Sequence, residues 1–288
     1  MSDMQGKTIL ITGATNGIGR AAALDLARRG ATVAVAGRSQ QRLDDTLTMI
    51  RAESGSETVT GLLADLSTQA DVRQLADEFR SKHARLDLLL NNAGANFRER
   101  ADTADGLERT FAVNHMAYYL LTRLLLDMLQ ASAPARIVNV SSEAHRQLKT
   151  FDFDNLDGRK RWAMFGFSAY RQSKLANILF TRELARRLAG TGVTVNAMHP
   201  GVVNTGLFQN IEGIGGRVIA ALAPIFMKTP EQGADTLIWL ATADEMESQS
   251  GGYYVRRRLR ETSAAAQDEA AAKRLWALSA ELCGLGVE

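Results

Sequence analysis

Tyr170 and Lys174 stand four residues apart in the segment SAYRQSKLAN, which has the pattern of an amphipathic helix. Residues four apart lie on the same helix face, one turn from each other. The tyrosine phenol has an ordinary pKa of about 10, and a nearby ammonium lowers that pKa because it stabilises the phenolate. Such a pair could exchange a proton with a substrate near neutral pH. Taken alone, however, the pair is more typical of a Tyr and a Lys exposed on a surface helix.

A glycine-rich turn, TGATNGIGR, follows the first apolar run and opens a helical pattern. Glycines allow a tight turn to bring backbone N–H groups close to a pyrophosphate, and a helix N-terminus favours negative charge. The spacing of Gly13, Gly17 and Gly19 is G-x-x-x-G-x-G, which departs from the general G-x-G-x-x-G fingerprint. Its position between strand and helix favours dinucleotide binding over an ordinary tight turn. With this turn in the chain, we interpret Tyr170 and Lys174 as a functional pair.

The end of the second predicted strand, AGRSQQR, indicates which dinucleotide is bound. An acid at this position holds the ribose 2′-hydroxyl of NAD, whereas a nearby arginine suits the 2′-phosphate of NADP. Here Arg38 is followed by Ser39 and Arg42, and the first acid, Asp44, falls within the next helix. We therefore expect NADP(H) to be preferred over NAD(H). The alternative is that Arg38 merely begins a solvated helix.

The elements that must position these residues alternate along the chain. Strands are predicted at 7–13, 31–38, 86–94, 135–142 and 193–200, and helices after the glycine turn and near 40–52, 68–82, 106–129, 166–189 and 229–242. The strands are continuously apolar, which is typical of strands buried on both faces. The pattern predicts an α/β fold: a single doubly wound Rossmann domain over 1–288, with a parallel sheet of about seven strands and helices on both faces. An insertion at 143–165 and a connection at 201–228, interpreted as a substrate lid, interrupt the alternation.

The amino-acid composition is typical of an ordinary globular protein and excludes few functional classes. The 288 residues carry a formal net charge of +2, which gives no general attraction to nucleic acid or membrane. A lone cysteine, Cys283, suits a cytoplasmic protein. No signal peptide or transmembrane segment is predicted, since the most apolar long stretch, 214–227, is short and interrupted. No metal site is expected, because no ligand spacing connects His115, His145 and His199, which we interpret as structural or pocket residues.

Two further segments carry no obvious chemistry. The basic run YYVRRRLRE (253–261) could form a nucleic-acid patch, but the small net charge favours a solvated strand edge or a partner contact. The segment AAAQDEAAAKRLWALSAEL (264–282) predicts a helix. Trp276 and Leu282 are expected to dock that helix onto the domain.

Four motifs in this order and spacing resemble the short-chain dehydrogenase/reductase family along nearly the whole chain: TGATNGIG, NNAG (91–94), Tyr-x-x-x-Lys, and HPG (199–201) followed by Thr205. A closer likeness, to the retinol dehydrogenase-like branch, lies in RIVNVSSEAH, SKLANILFTRELARRL, GVTVNAMHPG, KTPEQGA and RLWALSAEL. In membrane-bound members of that branch a hydrophobic anchor precedes the first strand. MSDMQG does not resemble such an anchor, so a cytoplasmic protein is expected.

The resemblance implies a catalytic set of four residues. Tyr170 would exchange a proton with the substrate oxygen, and Lys174 would bind the nicotinamide ribose as well as tune the tyrosine. Ser142 would donate a hydrogen bond to the oxygen on which charge develops, with Ser141 as the second choice. Asn114 would shape its helix so that a water relays protons to Lys174. A buried, hydrogen-bonded amide is the structural alternative for Asn114, and a turn cap is the alternative for Ser142.

The resemblance also implies which residues contact the cofactor. Asp65 and Leu66 would face the adenine, whereas Pro200, Gly201 and Thr205 would hold the nicotinamide end. The full expected set is Gly13, Thr15, Asn16, Gly17, Ile18, Gly19, Arg38, Asp65, Leu66, Asn91, Asn92, Ala93, Gly94, Tyr170, Lys174, Pro200, Gly201, Val203 and Thr205.

The insertion and the lid are rich in large apolar side chains, which favours an apolar substrate. These side chains are Phe151, Phe153, Trp162, Met164, Phe165, Phe167, Phe208, Ile211, Ile214 and Phe226. The sequence therefore predicts an NADP(H)-dependent oxidoreductase that interconverts an apolar carbonyl compound and its alcohol. A dinucleotide-binding redox regulator without turnover is the alternative. Residues 211–227 could instead rest on a membrane or form a subunit contact, and a homodimer or homotetramer packed through helices near 106–129 and 166–189 is expected.

Overall fold

The central element is a sheet of eight strands, described here from a computed structural model that covers residues 3–203 and 228–287. The strands are β1 Thr8–Thr12, β2 Thr32–Gly37, β3 Val59–Leu63, β4 Leu88–Asn91, β5 Ala135–Val140, β6 Val193–His199, β7 Tyr253–Val255 and β8 Arg258–Leu259. Their order is β3-β2-β1-β4-β5-β6-β7-β8. Strands β1 to β7 pair in parallel, and β8 returns antiparallel to β7. The predicted α/β fold with a doubly wound parallel sheet is confirmed.

Helices connect the strands and cover both faces of the sheet. Those described are α1 Gly17–Arg28, α2 Gln40–Ser54, α3 Gln69–Lys82, α4 Arg109–Phe111, α5 Ala117–Leu124, α6 Leu126–Ala131, α7 Phe167–Arg187, α8 Pro230–Thr242 and α9 Glu269–Leu282. Local chemistry fixes several of their ends. Ser39 caps α2 by accepting a hydrogen bond from the Arg42 N–H, and Thr229 forms a capping box with Gln232 at the start of α8.

Strand β1 shows why the sheet strands read as continuous apolar runs. Its side chains alternate between two cores. Ile9 and Ile11 pack with the core beneath α1, α2 and α8, whereas Leu10 packs with the core beneath α3, α5, α7 and α9. Because both faces are covered, every position of the strand is buried.

The strand order places a crevice where the first half of the sheet meets the second. The chain runs outward from β1 to β3 and then crosses back to β4, which lies on the other side of β1. Ligands of doubly wound sheets bind at such a switch point, beyond the carboxyl ends of the strands. The glycine turn follows β1 and the NNAG segment includes the end of β4, so both meet at this crevice.

Several predicted elements differ in detail from the structure. The helix expected at 106–129 is broken by a π-helical turn, Ala112–Met116, and by a second break after Leu124. Within the 143–165 insertion lie two short 3₁₀ helices, Glu143–Gln147 and Phe153–Asn155. The basic run at 253–261 forms the β7–β8 strand edge that the sequence favoured. Strand β3 was not located from the sequence, because Gly61 and its polar neighbours weaken the apolar pattern.

Candidate active site

The glycine turn after β1 leaves space that side chains would fill. Gly13 has a φ of +64°, and a Cβ added there would lie 2.7 Å from the Ala93 Cα. A Cβ added at Gly19 would lie 2.5 Å from the Asn92 Nδ2. Asn16, the N-cap of α1, makes no capping hydrogen bond with its side chain. The first N–H groups of α1 are therefore left for an anionic ligand, which fits the pyrophosphate of a dinucleotide.

Asn92 and Thr12 fasten this turn to the end of β4. The Asn92 Nδ2 donates to the carbonyl oxygens of Thr12, at 2.8 Å, and Gly13, at 3.2 Å. In return, the Thr12 Oγ1 accepts hydrogen bonds from the backbone N–H groups of Asn92 and Ala93, at 3.0 and 3.1 Å. Thr12 was missed by the sequence analysis, since a threonine at a strand end carries no distinctive signal.

Asn91 does not reach the crevice, and this corrects the expectation that it contacts the cofactor. It is fully buried, and its Nδ2 donates to the Thr122 Oγ1 at 3.0 Å and to the Asn139 Oδ1 at 2.9 Å. Side chains of a strand alternate between faces, so Asn91 and its successor Asn92 point in different directions. Asn92 is the one that lines the cavity.

The end of β2 presents two arginines to the same cavity. Arg38 and Arg42 both line it and are exposed to solvent. Asp44 does not line it, and its carboxylate accepts a hydrogen bond from the Gln40 Nε2 at 2.8 Å. The charge at this end of the cavity is thus positive, which matches the sequence argument. Asp65 lies nearby with its Oδ1 capping the Ser67 N–H at 3.0 Å.

The two serines after β5 have different surroundings. The Ser141 Oγ donates to the Lys174 carbonyl at 2.6 Å, which ties β5 to helix α7. The Ser142 Oγ accepts from the Ala144 N–H at 3.2 Å and also forms a hydrogen bond with the Tyr170 side chain. Ser142, rather than Ser141, is therefore the serine whose hydroxyl meets the tyrosine. Ser142 also caps the following turn through the Ala144 N–H, so the turn-cap role considered as the alternative applies at the same time.

Tyr170 and Lys174 lie on the buried face of α7 at the floor of the cavity. The Lys174 Nζ donates to the Val140 carbonyl at 3.0 Å and lies 5.7 Å from the centroid of the Tyr170 ring. Burial lowers the pKa of the Lys174 ammonium to about 7. Burial also raises the pKa of the Tyr170 phenol, and the hydrogen bond with Ser142 opposes this. Desolvation thus outweighs the lowering of the Tyr170 pKa that the sequence argument expected from Lys174.

Asn114 lies in the π-helical turn and is fully buried behind the cavity. Its Oδ1 accepts from the Ala95 N–H at 2.8 Å, and its Nδ2 donates to the Ala95 carbonyl at 2.9 Å and to the Ser173 Oγ at 2.9 Å. A π turn widens a helix locally and is frequent at functional sites. Asn114 therefore joins the segment after β4 to helix α7 without lining the cavity itself.

One cavity of about 800 Å³ brings the predicted residues together. The predicted residues that line it are Gly13, Thr15, Asn16, Gly17, Ile18, Gly19, Arg38, Asp65, Leu66, Asn92, Ala93, Gly94, Ser142, Tyr170, Lys174, Pro200, Gly201 and Val203. Thr205 lies outside the described residues. A cavity of this size and shape, running from Arg38 to Tyr170, fits an extended dinucleotide together with a small substrate.

Beyond Tyr170 the cavity wall is partly apolar and partly polar. Its lining there includes Phe97, Ala144, Phe167 and Val202, together with Glu143, Gln147 and His199. Sequence reasoning missed Phe97, Glu143 and Gln147. Their place in the chain could have indicated them, because residues after the carboxyl ends of parallel strands line the ligand crevice. Phe97 follows the carboxyl end of β4, and Glu143 and Gln147 follow that of β5.

Most of the aromatic residues predicted beside the pocket have other places. Among those described, Phe167 lines the cavity, whereas Phe151 and Phe153 pack against the hydrophobic core. Met164 and Phe165 are 60% and 71% exposed, just before helix α7. The remaining large apolar residues of the lid, Phe208, Ile211, Ile214 and Phe226, lie outside the described residues.

Of the chain's four histidines, His115, His145 and His199 were considered as structural or pocket residues. His145 is buried, and its Nδ1 lies 2.7 Å from the Ser142 carbonyl oxygen. His115 is buried in the π turn, with its Nε2 3.0 Å from the Ser279 Oγ. His199 lines the cavity, and burial lowers its pKa to about 4, so its imidazole is neutral at physiological pH.

The fold and this site together define a nicotinamide-dinucleotide-dependent oxidoreductase, and comparison with known proteins agrees. The family model described as short chain dehydrogenase matches residues 7–151 and 157–213. The chain therefore belongs to the short-chain dehydrogenase family. It is a dehydrogenase/reductase of the retinol dehydrogenase-like type that acts on CH–OH groups and binds a nicotinamide dinucleotide.

Individual relatives support the same placement. Human retinol dehydrogenase 13 is 44% identical over 285 residues, which are 97% of this chain and 85% of the relative. The crystal structure of an uncharacterized protein from Mycobacterium paratuberculosis covers 100% of this chain and 97% of its own, with a TM-score of 0.80 and 32% identity. RhlG of Pseudomonas aeruginosa, solved as an active-site complex with NADP, covers 87% of this chain and 94% of its own, with a TM-score of 0.70 and 27% identity.

These comparisons give no support to the alternative of a redox regulator without turnover. As for the membrane, none of the helices in the described part of the chain combines the length and the apolar character that crossing a bilayer requires.

Proposed function

We propose that this protein is an NADP(H)-dependent oxidoreductase that interconverts an apolar aldehyde or ketone and the corresponding alcohol. The observation that carries the proposal is the joint position of Ser142, Tyr170 and Lys174 in the cavity that also holds the glycine turn and Arg38. One end of that cavity suits a phosphorylated ribose, and the other end presents a proton donor and a hydrogen-bond donor to a carbonyl oxygen.

Each member of the catalytic set has a role that follows from its contacts. When bound, the nicotinamide supplies hydride chemistry. In the reductive direction Tyr170 gives its phenolic proton to the substrate oxygen, and Ser142 donates a hydrogen bond to the charge that develops there. Lys174, held at the Val140 carbonyl, binds the ribose and stabilises the phenolate that Tyr170 becomes. Asn114 holds the Ala95 N–H and the Ser173 hydroxyl through its side-chain hydrogen bonds.

The preference for NADP(H) rests on charge at the end of β2. A 2′-phosphate in this region would face Arg38 and Arg42 and no acidic side chain from the β2–α2 junction. Arginine binds phosphate through charge-assisted hydrogen bonds in a planar fork. The NADP complex of RhlG, a solved structure 27% identical to this chain, is consistent with the proposal.

The apolar substrate class rests on the cavity wall and on the relatives. Phe97, Phe167 and Val202 supply apolar surface near Tyr170. Human retinol dehydrogenase 13 is named for an apolar alcohol. We therefore place apolar aldehydes, ketones and alcohols first among the substrates to be screened, with residues 201–228 as the proposed substrate lid.

Two measurements test the function. Titration with NADPH and with NADH, followed by nicotinamide fluorescence, should give tighter binding of NADPH. A Tyr170→Phe variant should keep dinucleotide binding and lose turnover by several orders of magnitude. Tyr254→Phe is the matched control, because Tyr254 is buried against Trp239 and does not line the cavity. Unchanged turnover in Tyr170→Phe rules out the role assigned to the tyrosine, and binding of neither dinucleotide rules out the whole proposal.

The proposal extends to the oligomeric state and the cellular location of the protein. We propose one domain over 1–288 and a homodimer or homotetramer packed through helices near 106–129 and 166–189, which light scattering of the purified protein tests. We propose a cytoplasmic location because the single cysteine, Cys283, is a buried free thiol. Fractionation of cells that express the protein tests the location.

A further inference from the structure

Two donors share the Val140 carbonyl oxygen at the end of β5. One is the Lys174 Nζ at 3.0 Å, and the other is the Asn177 Nδ2 at 3.2 Å. Tyr170, Lys174 and Asn177 are spaced four and then three residues apart, so all three lie on one face of α7. The oxygen that anchors the lysine is therefore also held by an amide from the next turn of the same helix.

The Asn177 amide is fixed by its other end. Asn177 is fully buried, and its side-chain amide lies close enough to His115 to oppose the lowering of the imidazole pKa by burial. The Asn177 Oδ1 and the His115 Nδ1 are both buried, and neither has a partner within hydrogen-bonding geometry among the described residues. A pairing of these two atoms satisfies both, and it leaves the Asn177 Nδ2 to face the Val140 carbonyl.

His115 is in turn held in one protonation state. Burial lowers its pKa to about 3, so the ring is neutral and carries a single N–H. Its Nε2 lies 3.0 Å from the Ser279 Oγ of helix α9. With the serine donating to Nε2, the ring proton is on Nδ1, where it faces the Asn177 Oδ1. With this pairing, Ser279, His115 and Asn177 form a polar network that ends at the Val140 carbonyl oxygen, which accepts from both the Asn177 Nδ2 and the Lys174 Nζ.

We propose that Asn177, oriented by His115, is a positioning residue that sets the place of the Lys174 ammonium in the site. The inference rests on the proposed function, in which Lys174 binds the ribose and stabilises the Tyr170 phenolate. The space around the ammonium is small, since a Cβ added at Gly94 would lie 3.1 Å from the Lys174 Nζ. The Asn177 N–H competes with the ammonium for the Val140 oxygen, so its loss draws the ammonium towards that carbonyl and away from the cavity. Misplacement of a catalytic group by about 1 Å can cost on the order of 100-fold in rate.

Asn177→Leu, compared with Asn139→Leu, tests the proposal. Asn139 is an equally buried amide, but it binds Thr181 and Asn91 and does not touch the Val140 carbonyl. Both variants lose a buried amide. Dividing the measured rate by the fraction of folded protein separates an effect on kcat from an effect on stability. We expect Asn177→Leu to lower kcat on the order of 10-fold below Asn139→Leu, with the KM of the carbonyl substrate unchanged. Equal kcat values in the two variants overturn the proposal.

The dinucleotide Kd gives a readout that does not need turnover. Because Lys174 is proposed to bind the ribose, Asn177→Leu should raise this Kd severalfold above that of Asn139→Leu, and equal Kd values count against the positioning role. If the wild-type protein binds dinucleotide but reduces no carbonyl compound, the proposed function fails and the Kd comparison still decides the inference.

His115→Phe decides the matter should Asn177→Leu fail to fold. A phenyl ring keeps the packing against the Phe111 and Phe180 rings, whose centroids lie 5.1 and 6.0 Å from that of His115. It removes the N–H that orients the Asn177 amide. We expect a smaller loss of kcat than in Asn177→Leu, and a wild-type kcat in His115→Phe overturns the proposal.

Discussion

Gly94→Ala should lower activity without lowering stability. Gly94 does not have a positive φ, so alanine fits its backbone without strain. A Cβ there would meet the Lys174 Nζ at 3.1 Å and the Asn114 Oδ1 at 3.4 Å. The first contact is tighter than ordinary van der Waals distance, and the atom that must yield is the end of a flexible side chain.

The two effects of this substitution have opposite signs. Replacing glycine by alanine where the backbone allows it stabilises the fold by about 0.4–1 kcal/mol, because the unfolded chain loses freedom. In the site, the methyl group displaces the Lys174 Nζ by a few tenths of an ångström and enters space assigned to the dinucleotide. We expect kcat/KM to fall on the order of 10-fold, which corresponds to about 1.4 kcal/mol of transition-state stabilisation.

Thermal unfolding checks the expected stabilisation, and steady-state kinetics of the same preparation check the expected fall in kcat/KM. Gly286→Ala is the control, because it adds a methyl group in open space at a position without positive φ. The control should match the wild type in kcat/KM. If Gly94→Ala keeps wild-type dinucleotide affinity and kcat/KM, then the Lys174 ammonium is not confined as described, and the reasoning about its position is refuted.

Three further predictions concern charge and packing. Arg38→Ala should weaken NADPH binding about 10-fold and leave NADH binding unchanged in fluorescence titrations, since a charged hydrogen bond to phosphate is lost; an equal loss for both dinucleotides contradicts the assignment. Lys174→Met should raise the free energy of unfolding, because burial lowers the lysine pKa from 10.5 to about 7 and the folded state disfavours its charge. Between about pH 7 and 10.5 the lysine is protonated in the unfolded chain but neutral in the folded protein. The gain in the free energy of unfolding should therefore be full below about pH 7 and vanish towards about pH 10, as measured by denaturant titrations at several pH values. A gain that does not change with pH speaks against this. Trp276→Ala should lower the free energy of unfolding by about 3–5 kcal/mol, because the ring is 2% exposed and packs on Tyr119 and Phe180; a loss below about 1 kcal/mol shows that α9 is not docked through it.

The sheet could be predicted from the sequence wherever burial is two-sided. Strands β1, β2, β5 and β6 were located because most positions along them are apolar and both faces are covered by helices. Strand β3 lies at the edge of the sheet, where Gly61 and partly exposed positions break the apolar pattern. The π turn at Ala112–Met116 has no local sequence signal, and Asn114 within it hydrogen-bonds to Ala95 and Ser173, which are distant in the chain.

The sequence locates the lining of the cavity most directly where backbone geometry demands a residue type. Gly13 and Gly19 are required by close approach of Ala93 and Asn92, which leaves no room for a side chain. Both Asn91 and Asn92 were predicted to contact the cofactor, but only Asn92 lines the cavity, because consecutive residues at a strand end point to different faces. Likewise, Glu143 and Gln147 joined the cavity lining through the 3₁₀ helix after β5, a turn that the sequence does not specify.

By itself the sequence determined the alternation of strands and helices, the glycine turn and the identity of the groups that could move a proton, since these depend on local pattern and residue chemistry. Tertiary structure alone decided how those groups are tuned. Burial shifts the pKa of Tyr170 upward and that of Lys174 downward to about 7, because desolvation depends on how many distant segments close over a side chain. The Val140 carbonyl that holds Lys174 likewise belongs to another strand, and only the folded chain brings the two together.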